Sequence, residues 1–168
     1  MNELDEFRKM KDDFYLNDPQ SPLTEKQKQT FKGLNYFPPN LALRLEVQVE
    51  AFPDKQVIQM QTSTGDVQEY KRYGRFHFIV NDQPADLTIY YSDGSYFLPF
   101  VDSQAGKETY PAGRYLEPEA LGEDVFLVDF NLAYNPYCAY NEHWSCPLTP
   151  FENRLKVPIQ AGEKIFHE

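Results

Sequence analysis

From Leu41 the chain alternates with a period of two: Leu41, Leu43, Leu45, Val47 and Val49 interleave with Ala42, Arg44, Glu46, Gln48 and Glu50. Successive side chains of a strand point to opposite faces, so this run has one dry face and one wet face and does not suit a helix. Weaker strands follow at about 56–62, 67–73, 75–81, 86–91 and 95–100, punctuated by Thr64-Gly65, Gly74, Asn81-Asp82 and Asp93-Gly94. Short strands at that spacing predict a mainly β fold, an antiparallel meander curled into a barrel or a sandwich. Two later strands are expected near 125–130 and 155–160. In the last, Leu155, Val157 and Ile159 share a face, and Pro158 withholds an amide donor, which suggests an edge.

Turn chemistry fixes one register outright. Asp93-Gly94 is a preferred two-residue hairpin loop, so Tyr91 should pair with Tyr96, Tyr90 with Phe97 and Ile89 with Leu98. Leu87, Ile89 and Tyr91 then share a face with Tyr96, Leu98 and Phe100.

Ahead of the strands lie one or two helices. Leu4, Phe7 and Phe14 fall near one helical face with Met10 beside it, and Asn17-Asp18-Pro19 stops the helix, giving a span of roughly 3–16. Thr24 followed by Gln27 has the form of a capping box, opening a short second helix that ends by Gly33. The 168 residues are expected to form one domain, 1–168, with a helical N-terminal segment over about 1–33 and a β-rich body over about 41–168.

Charge narrows the partners. With 26 acidic against 16 basic residues the net charge is −10, so the surface repels phosphate backbones and anionic lipid. Neither nucleic acid nor membrane is expected as a partner, and the sequence leaves the oligomeric state open. The acidic start lacks the apolar stretch of a secretory leader, which sets the expectation of a cytoplasmic protein.

Between 102 and 154 the periodicity breaks down, Val125 to Phe130 apart. The segment holds Tyr110, Tyr115, Tyr134, Tyr137 and Tyr140 along with five prolines. Long irregular stretches in compact domains tend to be functional loops or linkers, and rings in this number need burial. An ordered aromatic loop layer is expected, and a site beneath it.

Several long motifs lie in and around this layer: Phe31-Lys-Gly-Leu-Asn-Tyr-Phe-Pro38, Glu108-Thr-Tyr-Pro-Ala-Gly-Arg-Tyr-Leu116, Asp129-Phe-Asn-Leu-Ala-Tyr-Asn-Pro-Tyr-Cys-Ala-Tyr140, Cys146-Pro-Leu-Thr-Pro-Phe-Glu-Asn-Arg154 and Ile159-Gln-Ala-Gly-Glu-Lys164. Together they resemble an uncharacterised prokaryotic family, domain-of-unknown-function family 1684, over essentially the whole chain. The resemblance implies a single domain and directs attention to the same layer. It names no catalytic residue.

The chemistry-bearing residues divide into two sets. Glu108, Tyr110, Arg114, Asp129, Asn131, Tyr134, Asn135 and Asn153, with Glu152 and Arg154 beside the last, form a polar set. Arg114 suits a ligand carboxylate or phosphate, and Asp129 and Glu108 suit acid–base work if burial tunes them. The same residues equally suit an internal network that pins the loop backbone. Cys138, His143 and Cys146 form the other set, with sulfur and nitrogen ligands for zinc but no convincing fourth ligand. Two reduced, packed thiols without metal are the expected state, and no cofactor is expected.

A Cys–His nucleophilic pair is the enzymatic alternative, with His77 or His143 as base. No G-x-S-x-G, phosphate-loop, H-E-x-x-H or dinucleotide-binding glycine pattern is present. The favoured expectation is a domain that binds a small polar or anionic ligand in a pocket under the 102–154 layer. A small hydrolase-like enzyme using a carboxylate or the Cys–His pair, and a structural or protein-interaction domain, are the alternatives.

Overall fold

The computed structural model describes residues 3–141 and 144–167. In it Leu41–Leu43 form a 3-10 turn capped by the Asn40 side chain, and the alternating run becomes strand β1 at Arg44–Gln48. Val47 and Val49 are buried while Glu46, Gln48 and Glu50 face solvent. Leu41, in the turn, is exposed. Val49 is a corner: beyond it the chain enters β2 (Glu50–Ala51), which belongs to a different sheet.

The remaining strands are β3 (Val57–Gln61), β4 (Val67–Val80), β5 (Gln83–Ser92), β6 (Ser95–Phe100), β7 (Arg114–Leu116), β8 (Glu119–Gly122) and β9 (Val125–Asp129). The larger sheet runs β2-β4-β5-β6-β7 with β3 also on β4, and the smaller runs β1-β9-β8. All these strand pairs are antiparallel. Neither sheet closes on itself, so the barrel alternative gives way to a sandwich-like meander. Val47, Phe126 and Val128 of the small sheet share one core with Phe76, Leu87, Ile89, Leu98 and Phe100 of the large one.

The strands expected at 67–73 and 75–81 are one strand, β4, whose register shifts between Arg72 and Gly74. A Cβ at Gly74 would lie 2.6 Å from Val49 Cγ1 and 2.7 Å from Glu50 O, so the β4 backbone passes the corner only as glycine. The Asp93-Gly94 hairpin has the expected register, Tyr90 opposite Phe97 and Tyr91 opposite Tyr96. Both loop residues have positive φ, as this turn requires. Ile89 and Leu98 are buried in the same core.

No strand forms over 155–160. This segment is a strap rather than a ladder member: Leu155 N–H donates to Val101 O, Ser103 N–H donates to Val157 O, and side chains take up the groups beyond. Val157, Ile159 and Ala161 still enter the core. The short β7 and β8 escape a periodicity reading because β7 is buried and β8 exposed at every position.

Helix α1 spans Glu3–Asn17 and α2 spans Glu25–Thr30, the latter opened by the Thr24–Gln27 capping box. A second apolar cluster, built on Tyr15, Leu23, Leu34, Ala139 and Tyr140, holds the helices to the loop layer. No helix among the described residues is long and apolar enough to cross a membrane.

Candidate functional site

Half of the polar set is buried: Arg114, Asn131, Asn135 and Asn153. Arg114 is 1% exposed, and its guanidinium donates to the carbonyls of Ala161 (2.5 Å), Ile159 (2.7 Å) and Glu163 (3.0 Å). Its acidic neighbour is Asp102, at 3.8 Å, rather than Glu108 or Asp129. Asp102 in turn accepts from Thr109 Oγ1 and from Ile159 N–H. Burial pushes the guanidinium down to about 10, opposed by Asp102 and Glu163. Gly113, at φ +101°, is required just before it, since a Cβ there would lie 2.5 Å from Phe100 O.

Asn153 is fully buried and does the same for two strands. Its Nδ2 donates to Thr88 O and Pro99 O, and its Oδ1 accepts from Thr88 N–H. Asp129 caps a 3-10 turn through Asn131 N–H and also accepts from Asn131 Nδ2. Asn131 exchanges two hydrogen bonds with the Asn40 backbone. Asn135 Nδ2 donates to Lys164 O, while its buried Oδ1 has no partner among the described residues. Glu108 accepts from Gln160 Nε2 at 3.1 Å. Glu152 is gripped at both oxygens by Arg72 and also receives the Tyr90 hydroxyl. Asp129 and Asn131 share a separate cleft with Leu4, Phe7 and Arg44, so the polar set does not converge on one pocket.

The most apolar concavity lies elsewhere, and α1 forms part of its wall. The helix meets the body through the i, i+3, i+4, i+7 series Arg8, Lys11, Asp12 and Tyr15. Arg8 lies 4.5 Å over the Tyr36 ring, and Asp12 accepts from Leu34 N–H and the Tyr36 hydroxyl. Lys11 pairs with the buried carboxylate of Glu163, which also receives the Tyr140 hydroxyl. Tyr15 is buried against Tyr137 and Tyr140.

Phe7 and Met10, on or beside the apolar face of the helix, are thereby left exposed, while Phe14 packs partly against the second cluster. They form one wall of a groove of about 630 Å³ whose opposite wall is Tyr115, Tyr134, Pro136, Tyr137, Trp144 and Cys146. Phe7 is 42% and Met10 71% exposed at its mouth. Tyr134, whose hydroxyl donates to Glu117, is the one member of the polar set among the described residues lining it. Burial pushes the Tyr15, Tyr115 and Tyr134 hydroxyls well above the ordinary phenol range, so these groups are neutral at physiological pH.

The cysteines are both free. Cys138 stands on the 3-10 turn Tyr137–Ala139, with Tyr110 Oη 3.8 Å from its sulfur. Cys146 is held by a reciprocal pair of bonds with Ser63. His143 lies outside the described residues. His77 faces outward on β4 and pairs with Asp86 and Glu50, partners that raise its pKa. Among the described residues no three His, Cys, Asp or Glu side chains gather to hold a metal.

Sequence patterning placed Phe7 and Phe14 on one face of α1 with Met10 beside it, and periodicity alone gave no sign that this face borders a groove. It missed Lys11 and Glu163 because neither has a local signal. Glu163 does fall within the Ile159–Lys164 motif.

Residues 29–164 match the model of the family described as "Protein of unknown function (DUF1684)", and the chain belongs to that family. It is also similar to an uncharacterized protein of Haloarcula marismortui solved by solution NMR, at 33% identity and a TM-score of 0.74. The match covers 96% of this chain and 91% of that one. No curated protein matches the chain.

Proposed function

We propose that this protein binds a small molecule with a largely apolar or aromatic body in the groove between α1 and the 102–154 layer. The observation that carries the reading is the placement of Phe7, Met10 and Phe14. Phe7 and Met10 stand exposed and, with the half-buried Phe14, face a wall of tyrosines and Trp144 across open space. Apolar surface left in a concavity of ligand size is the usual form of a small-molecule site. The polar groups at its edge already have protein partners: Lys11 with Glu163, Tyr134 with Glu117, and Ser145 with Thr62 and Thr64. Recognition therefore rests on shape and apolar burial more than on a charge. This moves the expected ligand from a polar or anionic one toward an apolar one, and Arg114 from anchor to internal pin.

We read the helices and the two sheets as one folding unit, because Glu163 ties α1 to the strap that Arg114 holds. A titration of isotope-labelled protein with neutral aromatic and short-chain aliphatic compounds tests the reading. Binding shifts the amide resonances of α1 and of 134–137 and 144–146 and leaves β3 and β4 unmoved. Shifts confined to other surfaces contradict it.

A further inference from the structure

We propose that the groove's ligand carries one uncharged oxygen acceptor, such as a ketone, ester or amide carbonyl, and that the Lys11 ammonium takes it. The inference rests on the groove being the binding site and names the chemistry a ligand must bring to it.

Lys11 is the one charged residue among the described residues that line the groove. Its Nζ lies 4.9 Å from the centre of the Tyr134 ring and 5.7 Å from that of the Tyr15 ring, and both rings belong to the groove wall. The ammonium therefore stands among the lining groups, on a side chain that keeps 15% exposure. An ammonium has three N–H donors and no acceptor. Among the described residues its hydrogen-bond acceptor is Glu163 Oε2, while Glu163 Oε1 receives the Tyr140 hydroxyl. The two ring faces attract the charge but offer no oxygen. Two N–H groups are left for whatever fills the groove. A purely apolar body seated over Lys11 would strip those donors of water and give nothing back, which weakens binding. A ligand with an oxygen at that point keeps both the apolar contact and the hydrogen bond.

Glu163 decides the charge of that oxygen. Its carboxylate is buried and already neutralises Lys11. A ligand carboxylate on the same ammonium would set two anions side by side, with no second cation among the described lining residues and a net charge of −10 on the chain. A neutral carbonyl meets the donors without that repulsion. Two other polar groups of the lining are committed elsewhere, the Tyr134 hydroxyl to Glu117 and the Ser145 hydroxyl to Thr62.

Three naphthalenes of similar size test this, titrated into isotope-labelled protein and followed by the amide resonances of α1. The neutral ketone 2-acetylnaphthalene should bind about tenfold more tightly than 2-ethylnaphthalene, in which a methylene replaces the carbonyl, and more tightly than the anion 2-naphthoate. In the protein carrying both Lys11→Met and Glu163→Gln the ketone's advantage over the hydrocarbon should vanish. Wild-type protein that binds the hydrocarbon as tightly as the ketone would overturn the inference and leave the groove reading standing. Tightest binding of 2-naphthoate would overturn it in favour of an anionic ligand, and an advantage that persists in the double variant would remove Lys11 from the role. If none of the three shifts α1, the groove reading fails and this inference with it. The wild-type ranking decides the matter even if the double variant does not fold.

Discussion

The ammonium of Lys11 on α1 meets the buried carboxylate of Glu163, 152 positions further along the chain. Their side chains are 15% and 2% exposed, so the pair is largely desolvated. It spans the two ends of the sequence and sets the distance between α1 and the loop layer. Lys11→Met leaves Glu163 charged and buried, and we expect a loss of about 3–5 kcal/mol in unfolding free energy by denaturant titration. Lys11→Met combined with Glu163→Gln should recover much of that loss, because an amide oxygen still accepts from Tyr140. A Lys11→Met protein as stable as wild type would remove the clamp from the account.

Arg114 is expected to act on stability alone. Arg114→Ala strands three strap carbonyls and the Asp102 carboxylate, and a cost of about 3–5 kcal/mol follows from breaking a buried charge network. Arg114→Lys should restore little of it, since a single ammonium cannot reproduce a planar fork aimed at carbonyls of Ile159, Ala161 and Glu163. Thermal unfolding with and without small carboxylates and phosphates checks both points: the anions should not change the melting temperature of either protein.

Asn153→Asp should be worse than Asn153→Ala. Alanine leaves backbone partners on β5 and β6 unsatisfied, at about 1–3 kcal/mol for each buried group that finds no water. Aspartate adds a carboxylate oxygen facing the carbonyls of Thr88 and Pro99, where the amide had been the donor. The order of the two melting temperatures is the readout.

Alkaline pH should open the layer cooperatively. Burial holds Tyr15, Tyr115, Tyr134 and Tyr140 above the 10.0 of a free phenol. The folded state binds these protons more tightly than the unfolded chain does. Their stabilising contribution is therefore complete below pH 10 and falls as the pH rises past it. Ultraviolet titration should show the exposed tyrosines ionising first and the buried ones only together with unfolding by circular dichroism. Smooth ionisation of all twelve tyrosines without unfolding would contradict their burial.

Legibility tracked locality. The Asp93-Gly94 register and the Thr24–Gln27 capping box are short-range devices, and each is present as read, while the β1 alternation holds only from Leu43 on because Leu41–Leu43 turn in a 3-10 helix. The strap at 155–160 has a strand's alternation and buries the same residues. It is not a strand because the Arg114 and Asp102 side chains take the Ile159 carbonyl and amide that a neighbouring strand would need. On α1, Lys11 and Tyr15 became the docking face, and the apolar stripe was displaced into the groove. That outcome depends on Glu163, and nothing within α1 encodes it. The polar set was read as two-sided, ligand anchor or loop pin. Geometry favours the pins.

Trp144 is the one tryptophan of the chain and stands on the groove wall, so its fluorescence reports on the groove alone. Titration with phenylnaphthylamine, a neutral apolar dye, should quench Trp144 to saturation at one dye per protein by energy transfer. Changing Phe7 and Met10 together to Gln, both already exposed, should leave the melting temperature near wild type and weaken dye binding by about tenfold, the effect of losing roughly 1.4 kcal/mol of apolar contact. Quenching that never saturates, or an affinity unchanged in the double variant, would contradict the assignment of the groove as the binding site.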